Sequence, residues 1–69
     1  MNFTDLYDGM DITIQDPFTK ERCVGTLEAY EFPNETGTAF IAKWEISGFP
    51  SNTEIKDQSD VEQFKIKAL

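Results

Sequence analysis

Carboxylates are the side chains best supplied for chemistry in this sequence: 13 Asp and Glu among 69 residues, against 6 Lys and Arg and no His. Paired carboxylates can act as general acid and base, or as the nucleophile pair of a glycosidase. Here plenty makes a pair uninformative, because two of thirteen fall at such spacing by chance. A domain this small also lacks the walls of a sugar-binding cleft. Without His the commonest general base is missing. Ser47, Ser51 and Ser59 lie in no nucleophile elbow. Cys23 has Arg22 beside it but no base to complete a dyad, and reads as a small core residue. A single Cys without His is a poor zinc set. Asp5 to Asp11 looks like a calcium loop until Gly9 is placed at the loop glycine. Thr4 and Leu6 then fall where Asp-type ligands belong, and Gln15 where the bidentate Glu belongs. No glycine-rich phosphate loop is present. The expectation is a protein that is not an enzyme and takes no cofactor or metal.

The remaining chemistry of carboxylates is charge. The formal net charge is −7, which repels a phosphate backbone and attracts a basic protein surface. Asp5, Asp8, Asp11 and Asp16 precede the first basic residue, and Glu28, Glu31 and Glu35 share a second stretch without one. Same-face residues on a strand lie about 6.7 Å apart, comparable with neighbouring phosphates on one nucleic-acid strand. Asp5, Asp8, Asp11, Glu28, Glu31 and Glu35 are therefore the candidate phosphate-like contacts, with Tyr30 or Trp44 as aromatic anchor. The partner implied is a basic nucleic-acid-binding protein, with no direct contact to nucleic acid or membrane; a homodimer remains open. The plainer reading is a solvated acidic face that maintains solubility. Self-repulsion among these charges predicts that salt or mild acid stabilises the fold.

The elements that must position these residues are mostly strands. One domain spans 1–69, and nine aromatics give it material for a core despite the charge. Met10, Ile12 and Ile14 alternate with polar residues, as a half-buried strand does. Asp16-Pro17 opens a turn. A long strand follows from about Arg22 to Phe32, with a change of hydrophobic phase. A bulge near Ala29 would turn Leu27, Ala29, Tyr30 and Phe32 inward and leave Glu28 and Glu31 on one outer face. Pro33 to Gly37 reads as a hairpin loop, and Thr38 to Ser47 as a third strand with Phe40, Ala42, Trp44 and Ile46 inward. Thr53 to Lys56 pairs briefly. Ser59 and Glu62 fit a capping box for one helical turn. Phe64 to Ala68 alternates again as a closing strand, whose Lys65 and Lys67 guard a sheet edge. Phe3 to Asp8 forms a short helical turn or an extended arm. No apolar run nears the ~20 residues of a membrane span, and no secretory leader follows Met1, so the cytoplasm is the expected compartment.

Five short antiparallel strands and a single helical turn before the last resemble the Src-homology-3-like small β-barrels. That resemblance implies a partly open barrel; an oligonucleotide-binding-type barrel is the alternative. Asp5-Leu6-Tyr7-Asp8 also looks like the Ala-Leu-Tyr-Asp-Tyr motif of Src-homology-3 peptide-binding domains, and Gly48-Phe49-Pro50-Ser51-Asn52 like their Pro-Ser-Asn-Tyr segment. This implies Tyr7, Trp44, Pro50 and Asn52 as a groove for Pro-rich peptides. Gly9 and Thr53 depart from the motifs, where Tyr is expected. In size and acidity the whole chain resembles the small bacteriophage proteins that mimic DNA and inhibit host DNA-binding proteins, such as the histone-like protein HU, RNA polymerase and restriction or CRISPR nucleases. A structural subunit of a larger assembly is the third reading.

Overall fold

Short runs of alternating apolar residues, each ended by a turn former, produce a mainly β fold. The computed structural model describes residues 1–31, 38–46 and 49–69. A 3₁₀ turn, Phe3–Asp5, leads to β1 (Asp11–Gln15), β2 (Arg22–Glu31), β3 (Thr38–Ile46), β4 (Phe49–Ile55), α1 (Gln58–Gln63) and β5 (Lys67–Ala68). The strands form one antiparallel sheet in the order β4-β3-β2-β1-β5, so β4 and β5 are its two edges. The expected hairpin loop, Phe32 and Glu35 lie outside the described residues, as do the side chains of Ile46 and Phe49. Among the described residues, no helix is long and apolar enough to cross a membrane.

The inner face of the sheet carries the core. Ile12 and Ile14 of β1, Leu27 of β2, Phe40, Ala42 and Trp44 of β3 and Ile55 of β4 are buried, covered by Leu6, Met10, Val61 and Ile66. The parity of β1 and β3 therefore matches the alternation read from their sequences. Burying a side chain of this size contributes roughly 1.5–3 kcal/mol. Phe3 adds an edge-on contact to Phe40, with ring centroids 5.7 Å apart. Cys23 opposes Ile14 and packs half-buried against the same core.

Strand β2 corrects one expectation. It pairs residue for residue with β3 from Gly25↔Trp44 to Glu31↔Thr38, with no bulge at Ala29. Leu27 and Ala29 share the inner parity, whereas Glu28 and Tyr30 share the outer one. Glu28 and Glu31 consequently face opposite ways. The reason lies in the backbone. The Ala29 N–H donates to Asp8 Oδ1 (3.0 Å), and Leu27 exchanges hydrogen bonds with Gly9 and Met10. Segment 8–10 thus satisfies the groups that a bulge would leave open. Tyr30 remains outside, opposite the fully buried Ala39.

The helix also begins earlier than expected. Asp57, not Ser59, is the N-cap, accepting from the Asp60 N–H, and Asp60 reaches back to the Lys56 N–H (2.8 Å). Starting at Gln58 lets its side chain accept from the Phe3 N–H and donate to the Met1 carbonyl, which ties the N-terminal turn to α1. The helix closes in a Schellman motif: Ile66 N–H donates to Val61 O, Lys65 N–H donates to Glu62 O, and Lys65 adopts φ 47°. The closing strand is correspondingly short, because Lys65 belongs to this cap. Ile66 is nonetheless buried, and Lys67 pairs with Thr13 of β1.

Candidate functional site

Five of the six carboxylates singled out from the sequence lie among the described residues, and these elements spread them over the molecule. Asp5 ends the 3₁₀ turn and accepts from the Asn2 N–H (3.0 Å). Asp8 lies beside the far end of β2, bound to Ala29. Asp11 opens β1 on the outer face and accepts from the Thr26 hydroxyl (3.0 Å). Glu28 is on the same outer face, where it pairs with Lys43 (2.8 Å). Glu31 ends β2 with the opposite parity, exposed. Each of the three Asp therefore has a role in the fold and still points an exposed anionic group at solvent. A carboxylate has about four acceptor sites, and each of these uses one.

The aromatic candidates separate clearly. Trp44 is 6% exposed, packs against Phe64 at 6.3 Å, and its indole N–H has no partner among the described residues. Tyr30 lies on the outer face, and its hydroxyl donates to Glu54 of β4. That hydrogen bond, followed by Lys56 at 3.3 Å, holds the Glu54 carboxyl below its ordinary value. Tyr7 and Asn52 are exposed, unlike Trp44, and the Pro50 side chain is outside the described set. Glu54, Asp57 and Asp60 belong with the acidic candidates although motif reasoning passed them over. The alternation of Glu54 with buried Ile55 carried the signal for the first, and the Asp57-x-x-Asp60 spacing for the other two.

Cations are distributed unevenly. Lys43 and Lys56 are each matched to a Glu. The other four, Lys20, Arg22, Lys65 and Lys67, gather at one end. Arg22 Nη2 donates to Thr13 Oγ1 and Lys65 O, both at 2.8 Å, and Lys67 pairs with that same Thr13. Away from this end, the described side chains supply eight carboxylates against two cations. The arrangement can do electrostatic work, attracting a positive surface at range and orienting the molecule as it arrives.

These features define a mainly β domain of five antiparallel strands and one short helix, whose candidate site is a surface. No protein-family model, curated protein or solved structure significantly matches the chain.

Proposed function

We propose that this chain is a non-catalytic binding protein whose acidic surface occupies the nucleic-acid-binding surface of a basic protein, in the manner of the small DNA-mimicking bacteriophage inhibitors. The observation that supports it most is the charge segregation. The two cations outside the basic end are consumed by Glu28 and Glu54, so Asp5, Asp8, Asp11, Glu31, Asp57 and Asp60 present negative charge with no ion-pair partner among the described residues. Tyr30, on the outer face beside Glu28 and Glu54, is the aromatic available as an anchor. The proposed architecture is the Src-homology-3-like open barrel, supported by the return of β5 onto β1 after a single short helix.

The test is displacement. A labelled DNA duplex is bound to HU or another basic DNA-binding protein, and the chain is titrated in. Release of duplex, weakening as salt rises, is the expected result. No release from a panel of such proteins at low salt refutes the reading. Because Glu28 and Glu31 face opposite ways, Glu28→Lys and Glu31→Lys tested separately report which face docks. Equal, undiminished activity in both removes β2 from the contact.

A further inference from the structure

The basic end carries a second feature that the acidic surface does not explain. Phe18 is 92% exposed, the most exposed large apolar side chain described. It is held there by a well-bonded turn. Asp16 Oδ1 accepts from the Phe18 and Thr19 N–H groups at 2.7 and 3.1 Å. Asp16 also exchanges backbone hydrogen bonds with Lys20 and Glu21, and Gln15 Nε2 donates to Lys20 O at 3.0 Å. The ring thus stands on the tip of the β1–β2 hairpin. Behind it are Lys20 on the same turn, Arg22 at its base and Lys65 joined to Arg22 through its carbonyl, with Lys67 of β5 paired to Thr13 of β1. Arg22 spends its hydrogen bonds on neutral oxygens, and none of the four cations forms an ion pair among the described residues, in a chain with a twofold excess of carboxylates. Against Asp16, Glu21 and Glu62, the last lining one hollow with Lys65 and Lys67, the four cations leave this end a net charge of +1.

We propose that this end docks onto an anionic lipid surface, with Phe18 entering the headgroup region and the four cations facing the lipid charges. A protruding ring needs a partner that yields to it, and a bilayer interface does so without a preformed pocket. Each cation near an anionic bilayer strengthens binding about fivefold. Whole-chain composition points away from any membrane contact because it averages over the charge distribution. With the tip down, Asp11 stands back from the surface: it lies five residues along β1 from Asp16 at about 3.4 Å per residue, a separation that exceeds the Debye length of about 10 Å at 0.1 M salt. The inference is independent of the DNA-mimic reading, since it uses the opposite end.

Binding of the full chain to vesicles is the test, by co-sedimentation with phosphatidylcholine containing about one third phosphatidylglycerol. Binding passes through a maximum near ~0.1 M salt. It falls at ~0.01 M, where a Debye length of about 30 Å exposes the acidic body to the surface, and again at ~1 M, where the cations are screened. Phe18→Ser lowers it about tenfold, a substitution that touches no buried contact, and Lys67→Gln about fivefold. Unchanged melting temperatures show that both variants are folded. Absence of binding to the anionic vesicles overturns the proposal. So does equal binding to pure phosphatidylcholine, undiminished binding by Phe18→Ser, or capture of duplex DNA or an acidic peptide by this end in place of vesicles.

Discussion

Arg22 Nη2 donates to the main-chain carbonyl of Lys65 at 2.8 Å, joining residues 43 positions apart. The same nitrogen donates to Thr13 Oγ1, also at 2.8 Å. One side chain therefore fastens the β1–β2 hairpin to the cap that ends α1, where β5 is about to pair with β1. Replacing it with an apolar chain of similar length, Arg22→Met, removes both bonds and keeps the aliphatic contact. A charged donor on a neutral acceptor contributes about 1.5–3 kcal/mol when protected, and exposure here reduces the expected loss to about 1 kcal/mol. Urea denaturation reads this directly. An unchanged midpoint would mean that water replaces both bonds at no cost.

Lys65 itself sits in the left-handed region, at φ 47°, where a side chain costs roughly 1–2 kcal/mol and glycine fits freely. Lys65→Gly is expected to stabilise the domain by about 0.5–1 kcal/mol, once the greater flexibility of glycine in the unfolded chain is set against the strain relieved. Lys65→Val, with a branched β carbon, is expected to destabilise. Thermal melts of the two variants must move in opposite directions. A fall in both would show that the lysine side chain, rather than the backbone strain, dominates at this position.

Gly25 has the reverse requirement. A β carbon added there would stand 2.6 Å from the Lys43 carbonyl oxygen and 3.4 Å from the Trp44 β carbon. The first neighbour is backbone within the β2–β3 ladder, so relief requires the strands to shift. Gly25→Ala is expected to cost about 1–3 kcal/mol, although alanine suits a strand better than glycine. Denaturant titration checks the magnitude. A neutral result would mean that the ladder relaxes locally at no cost.

Half-buried strands were the legible part of this fold. Ile12 and Ile14, and Phe40, Ala42 and Trp44, alternate because one face meets the core and the other meets water. β2 misled because Tyr30 is apolar in composition yet lies on the outer face, where its hydroxyl reaches Glu54 and its neighbour is Ala39. Neither partner is adjacent in sequence, so no window of residues reveals them. The helix start was misplaced for a related reason. The Ser59-x-x-Glu62 spacing pointed to a cap at Ser59, whereas Asp57 caps the helix, and the earlier start is supported by distant contacts of Gln58 with Met1 and Phe3. The site suffered most. Whether two acids share a face depends on register: the bulge expected near Ala29 put Glu28 and Glu31 on one face, and the unbroken pairing of β2 with β3 sets them on opposite faces.

The outer-face network offers a test with a defined sign. Glu54 is held below its ordinary value first by the Tyr30 hydroxyl and then by Lys56. A carboxyl whose folded value is depressed stabilises the fold at neutral pH, and that contribution fades as the pH falls through the depressed value. Tyr30→Phe removes the first cause and keeps the ring, so the Glu54 value should rise towards that of a free Glu while Lys56 retains part of the effect. Carbon-detected NMR titration of the Glu54 carboxyl follows this residue alone. The same substitution should weaken the response of stability to acid just below the ordinary Glu range. General charge repulsion acts in the other direction there, because protonating any of the remaining carboxylates relieves it. The two contributions separate on adding salt, which screens the long-range repulsion more than the Tyr30 hydrogen bond. A Glu54 titration unmoved by Tyr30→Phe would transfer the whole depression to Lys56, and Lys56→Gln would then have to abolish it.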